Sequence, residues 1–303
     1  MGKFLLSLLI ICIQIPNIWG QKLSKMISFE RDSSVFEAFH KNFTVKPFIA
    51  YRNFKFEYTR LDKTSRTWKP NVNLLTGIGG TYKNLQLNMF FKIPGTQKDE
   101  KSYGKTKYRD VNVYYYTDIL NGLIYYKEFE GMYSQINDNF RYIIPTGSFK
   151  TYGLESFWVF NRKNISTHLP FKQTEHIKKF KNSFLLKAEY QHIEFDNMLV
   201  QDFPPLNPNF KEKYNIARFM PGYTLQYSIQ NWYVCPYLFS GVGYNFGNEK
   251  VNLKTNFKLG FGYNGKNWMT GIIYELDKEF KIQKGESLMC EYMYLKFHVG
   301  IRL

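Results

Sequence analysis

From about residue 47 to Leu303, apolar and polar residues alternate, and the alternation runs long. Between Lys250 and Tyr263, Val251, Leu253, Phe257, Leu259, Phe261 and Tyr263 share one parity, with Thr255 among them. Lys250, Asn252, Lys254, Asn256, Lys258, Gly260 and Gly262 take the other. A period of two puts each set on its own face of a strand. Asn264-Gly265-Lys266-Asn267 then supplies the residues of a tight hairpin, and Trp268, Thr270, Ile272, Tyr274 and Leu276 resume the apolar face. The final stretch repeats the pattern. Met293, Leu295, Phe297, Val299 and Ile301 alternate with Tyr294, Lys296, His298, Gly300 and Arg302.

Such segments lie near residues 47–60, 70–82, 84–93, 107–117, 120–130, 149–160, 165–175, 182–194, 217–229, 231–245, 250–263, 267–277 and 287–303. Strands of soluble domains average about five or six residues, whereas a tilted membrane strand needs about nine to eleven. The longest runs here belong to the second class. The pattern therefore predicts an all-β fold, a transmembrane antiparallel meander β-barrel. Thirteen segments are one too many, because single-chain barrels of bacterial outer membranes carry even numbers. Twelve strands are expected, with fourteen as the alternative, and the miscount falls between 149 and 195, where alternation is weakest. Short turns at Lys83, Gln230 and 264–267 are assigned to the periplasmic side. Longer polar links at 94–106, 133–148, 195–213 and 278–286 are assigned to the outside.

Ahead of the strands the pattern changes. Residues 1–20 have a basic start, an apolar run from Phe4 to Ile13 and a small residue, Gly20, before Gln21. This is the layout of a signal peptide, too short to span a bilayer. Residues 21–46 read as a periplasmic lead-in. Within it, Ser34 and Glu37 make a capping box, and Phe36, Phe39 and Phe43 share one helical face, which predicts a short amphipathic helix. Residues 47–303 are then the barrel, and the chain is exported to the outer membrane.

Composition sharpens this picture. Aromatic residues make up 19% of the chain, with 28 Phe and 24 Tyr, yet its mean hydropathy is below zero. That combination suits long strands with one greasy and one wet face. The formal net charge of +16 favours contact with anionic lipid or solutes, without a basic cluster dense enough for nucleic acid. Cys235 and Cys290 are at no metal-like spacing and are read as two separate thiols.

Candidate chemistry is sparse. Gly104-Lys105-Thr106 resembles the end of a phosphate loop, but Asp99 stands where its upstream glycine belongs. The five histidines show no pair at ligand spacing and no G-x-S-x-G elbow occurs, so neither a cofactor nor a metal is expected. His298, on the polar face of the last strand, is the best candidate base, with a structural histidine as the plainer reading. Lys254, Lys258, Lys296, His298 and Arg302 are the candidate basic residues of the lumen. Leu295, Phe297, Val299 and Ile301 are the candidate lipid-facing residues. Arginine should therefore be costly at position 297 and mild at 298. A barrel of about twelve strands encloses only a narrow interior, so a filled or gated lumen is expected over an open one.

Several stretches carry a resemblance to a known family: "WKPNVNLLTGIGGTYKNLQL" (68–87), "YGKTKYRDV" (103–111), "YYKEFEGMY" (125–133), "VFNRKN" (159–164), "KNSFLLKAEYQ" (181–191) and "LGFGYNGKNWMTG" (259–271). Together they resemble a family of outer-membrane barrels from Bacteroidota, the domain of unknown function four-four-two-one. The resemblance implies an outer-membrane β-barrel and brings no activity, substrate or catalytic residue. Three functions stay open. The first is a non-catalytic envelope scaffold, the second a narrow channel for small anionic solutes, and the third a lipid-modifying enzyme. The expected partners are outer-membrane lipid and lipopolysaccharide, and the barrel-assembly machinery acting through the C-terminal strand.

Overall fold

In the computed structural model the alternating segments pair edge to edge until the last meets the first. The structure describes residues 36–38, 43–59, 63, 65–117, 120–135, 141–161, 165–166, 171, 173, 175–177, 180–196, 211–246, 250–283 and 286–303. In chain order the strands are β1 (Phe36–Ala38), β2 (Phe43–Thr59), β3 (Ser65–Pro70), β4 (Leu74–Tyr82), β5 (Leu85–Lys92), β6 (Lys107–Tyr116), β7 (Leu120–Gln135) and β8 (Arg141–Val159). They continue as β9 (Glu175–Ile177), β10 (Lys181–Asp196), β11 (Lys211–Ile229), β12 (Trp232–Asn245), β13 (Lys250–Asn264), β14 (Trp268–Gln283) and β15 (Glu286–Arg302). One helical turn, α1 (Glu100–Tyr103), separates β5 from β6.

The circuit β2–β4–β5–β6–β7–β8–β10–β11–β12–β13–β14–β15 is antiparallel throughout, and β15 returns to β2 from Ser287↔Thr59 to Arg302↔Thr44. It is a closed barrel of twelve strands, the expected number. Closure satisfies every edge of the ladder, the condition for a sheet to stand in hydrocarbon. Of the thirteen sequence segments, the surplus one is 165–175: it contributes no barrel strand, and of it only the end reaches β9.

The extra strand, β3, changes the barrel along its length. β2 pairs with β4 over Phe43–Tyr51 and with β3 over Phe56–Thr59. Beyond the short β5–β6 hairpin, β3 crosses to β7, with Thr67↔Gln135 through Pro70↔Met132. At the short-turn end the wall therefore counts twelve strands, and at the loop end β3 stands in for β4, β5 and β6, leaving ten. Gly131 makes the crossing possible. It sits in a β-bulge at φ +86°, and a Cβ there would lie 2.1 Å from the Lys105 carbonyl oxygen. The link between β5 and β6 folds back over the fork, with Asn71 donating to the carbonyls of Lys98 (2.9 Å) and Gly104 (2.8 Å). Tyr103 packs edge-on to Tyr133, so this link has an aromatic anchor while Lys98–Ser102 stay exposed.

Three other expectations need correction. Where the capping box predicts a helix, Phe36–Ala38 is a strand paired with β9; residues 34, 35 and 39–42 lie outside the described residues, as does the signal peptide. The barrel begins at Phe43 rather than at 47. The links foreseen at 133–148 and 278–286 are mostly ladder: β7 runs to Gln135, β8 starts at Arg141, and β14 and β15 pair as far as Gln283↔Glu286. Polar composition misled there, because beyond the apolar band the outward residues are charged and alternation fades while pairing continues.

Outside, the wall divides into two zones. Val251, Leu253 and Phe261 are exposed on β13. Ten residues of strand tilted by 35–45° rise roughly 25 Å, the height of the apolar band on a membrane barrel. At the loop end the outward residues become charged and pair across strands. Lys55 and Lys278 both reach Glu291 (3.4 and 3.2 Å), Arg109 and Lys150 reach Glu128 (3.1 and 3.8 Å), and Lys213 reaches Glu194 (3.5 Å).

Candidate functional site

The inward parity of the strands fills the lumen in layers. At the loop end Phe54, Phe56, Trp68, Phe129, Phe149, Ile193 and Phe195 form a buried aromatic layer. Rings lie close across it, with Phe54–Phe149 at 4.5 Å and Phe56–Phe195 at 4.4 Å.

Below this layer the inner face is ionic. The Arg218 guanidinium donates to Glu189 (2.9 Å) and Gln191 (2.6 Å), and also pairs with Glu279. Lys254 bridges both oxygens of Glu189 (2.9 and 3.0 Å) and stands 3.7 Å from Asp277. Lys187 pairs with Glu155 at 2.6 Å and Lys258 with Glu275 at 2.9 Å. Nearby, Arg52 pairs with Asp110 in a sleeve of Phe90, Tyr108, Tyr292 and Tyr294, whose ring centroids lie 4.6–5.4 Å from its guanidinium carbon. Each of these charges has an opposite charge in reach, which offsets the cost of drying it, although Arg52 Nε, Asp110 Oδ1 and Arg218 Nε lack a hydrogen-bond partner.

The short-turn end is closed by chain rather than by strand. Between β8 and β10 the link enters the lumen. Ile165 is fully buried, and Ser166 and Gln226 exchange hydrogen bonds: the Ser166 amide donates to Oε1 (3.0 Å), and Gln226 Nε2 donates to the Ser166 carbonyl. Phe171 packs on Tyr237, and its carbonyl accepts from Lys46 (3.0 Å). Gln173 Nε2 donates to the Tyr233 hydroxyl (2.9 Å) and the Thr270 carbonyl (3.2 Å), while its carbonyl oxygen accepts from Arg302.

These contacts place His298 against the inserted link. Because Gln173 Nε2 faces an obligate acceptor, its Oε1 is the atom 2.7 Å from His298 Nε2. That ring nitrogen must therefore carry the proton and donate, which leaves Nδ1 as a bare acceptor, buried without a hydrogen-bond partner. His298 is 2% exposed and holds the inserted link. Arginine, expected to be mild at this position, would meet a buried site packed against Gly271 rather than a wet one.

The other sequence candidates divide by face. Lys254, Lys296 and Arg302 are buried inward and Lys258 is partly buried, whereas Leu295, Phe297, Val299 and Ile301 are 42–51% exposed on the outer wall. The inner face is not the uncompensated basic surface that the lysines suggest by themselves, since Glu155, Glu189, Glu275, Asp277 and Glu279 answer them. The sequence reading missed these carboxylates, although their parity marks them: Glu275, Asp277 and Glu279 alternate with the outward Tyr274 and Leu276. For Phe171 and Gln173 the sequence offered only the weak alternation of 165–175, which pointed to a wall strand rather than to an insertion. Cys235 and Cys290 are both thiols, and no cluster able to hold a metal occurs among the described residues.

A space lies between the β5–β7 wall and the inserted link. It is a cavity of about 50 Å³, bordered by Gln86, Tyr116, Asn121, Phe171, Glu275 and Lys296 among others.

The family model for the domain of unknown function DUF4421 matches residues 30–302, and the chain belongs to that family. No curated protein matches it in sequence. Among solved structures it is similar to the outer-membrane protease OmpT from Escherichia coli, at 7% identity and TM-score 0.41, covering 88% of this chain and 99% of that one. It is similar also to the β domain of the Bordetella autotransporter BrkA (14% identity, TM-score 0.40, 84% and 98% covered). A third is the translocator domain of the autotransporter NalP from Neisseria meningitidis (9%, 0.37, 87% and 90%). The barrel assignment rests on the closed ladder itself.

Proposed function

We propose that this member of the DUF4421 family is an integral outer-membrane barrel that acts as a closed, non-catalytic element of the envelope. One observation carries the reading: among the described residues, inward side chains and inserted chain occupy the lumen at both mouths and in the middle, leaving the small cavity beside the β5–β7 wall. An aromatic layer caps one mouth, a matched ionic layer fills the middle, and Ile165, Ser166, Phe171 and Gln173 of the inserted link stand in the other. The outward apolar band, roughly 25 Å tall, and the charged ring above it support residence in a bilayer. Outer-membrane lipid and lipopolysaccharide are then its neighbours along the wall.

Purified protein in planar bilayers tests the reading. The expected result is a flat current trace over the voltage range in which porins conduct. Reproducible single-channel steps from unmodified protein would replace it with the anion-channel reading. Mass spectrometry of lipids incubated with the protein covers the enzyme reading, and a time-dependent loss of one lipid class would establish that alternative.

A further inference from the structure

The cavity beside the β5–β7 wall is bordered by four side chains with charged heads, and three are already matched. Glu275 is held by Lys258 at 2.9 Å, and Glu155 by Lys187 at 2.6 Å. The fourth, Lys296, is 7% exposed and makes no ion pair or hydrogen bond with a described residue. Its ammonium lies 5.2 Å from the centroid of the Phe48 ring. A cation–π contact is worth up to about 2 kcal/mol when dry, against several kcal/mol for stripping an ammonium of water. With Lys187 counted as the partner of Glu155 from outside the lining, three ammonium groups face two carboxylates, and Lys296 is the cation left over.

Asn121, across the same cavity, is 2% exposed, and neither its amide nitrogen nor its oxygen has a hydrogen-bond partner. The Gln86 side-chain oxygen is also unpartnered. Buried polar groups are almost always satisfied, so several orphans around one space indicate that something occupies it. We propose that this cavity binds a small monovalent anion of chloride's size. Lys296 supplies the charge and Asn121 Nδ2 a second donor. A volume of about 50 Å³ admits one such ion with a water beside it, since a single water needs about 10–15 Å³ of such space. The accompanying water donates to the oxygens of Asn121 and Gln86.

Crystals of the full chain soaked in sodium bromide provide the direct test. One anomalous peak in the cavity, in contact with Lys296 Nζ, is expected; waters alone there would overturn the proposal. In detergent solution, the unfolding temperature should be higher in sodium chloride than in sodium gluconate at equal ionic strength. That difference should vanish in Lys296→Met and in Asn121→Asp, whose carboxylate takes the anion's place at nearly constant volume. If either variant fails to fold, the other and the bromide soak decide. An equal chloride effect in wild type and both variants would overturn the site. Bilayer conductance is read separately, so failure here leaves the closed-barrel reading intact.

Discussion

Glu189 offers the sharpest test of whether the lumen is dry. Its carboxylate is fully buried and shared by Arg218 at 2.9 Å and Lys254 at 2.9 Å, with Lys187 at 3.8 Å. Glu189→Gln keeps the volume and removes the charge. Arg218 then leans on Glu279, Lys254 on Asp277 at 3.7 Å, and Lys187 on Glu155 at 2.6 Å. Breaking a buried pair by removing one partner costs about 3–5 kcal/mol, because the remaining charge stays out of water. The same substitution in a water-filled channel would cost about 0–1 kcal/mol. Urea unfolding of protein reconstituted in lipid vesicles, followed by tryptophan fluorescence and by gel mobility without boiling, measures the difference. Arg218→Met should cost a similar amount. The double variant should cost less than the two singles together by more than about 1 kcal/mol, since residues in one network are coupled. Single losses near zero, adding without coupling, would refute the dry ionic layer and the closed lumen with it.

Three further outcomes follow from named contacts. Phe297→Arg places a cation on the exposed outer face and should cost about 2–4 kcal/mol near the bilayer midplane, read as lost membrane accumulation; His298→Arg should also fail, by crowding Gly271 and displacing Gln173, whereas His298→Gln should be better tolerated. Gly131→Ala forces a side chain into left-handed backbone against the Lys105 carbonyl, so it should cost about 1–3 kcal/mol and raise protease cutting in the link of residues 93–106, with unchanged cutting counting against the fork. Arg302→Met removes hydrogen bonds to Gln173, Gly265 and Asn264 and should loosen the inserted link, seen as faster hydrogen exchange at residues 165–173 while the β8–β10 ladder stays protected.

The two faces of each strand were determined locally. In β13, a period of two separates Val251, Leu253 and Phe261 from Asn252, Lys254 and Asn256 whatever the rest of the chain does, so inward and outward sets could be read from sequence. Parity excluded thirteen strands, because a closed antiparallel ladder needs an even count, and the ladder itself decided for twelve over fourteen. What meets what inside the lumen is a different kind of fact. Arg218 finds Glu189 29 positions away and Glu279 61 positions away, through register and shear around the wall, which alternation does not encode. The aromatic layer was hidden for the same reason: Phe54, Phe129, Phe149 and Phe195 sit on inward positions of four strands and become one layer only when the barrel closes. The inserted link was invisible as an insertion. Its weak alternation over 165–175 read as one more wall strand, and Gln173 and His298 come together across a separation of 125 residues only because the lumen leaves a space that this segment fits. Faces are a property of each strand's own geometry; layers, fork and plug are properties of the closed wall.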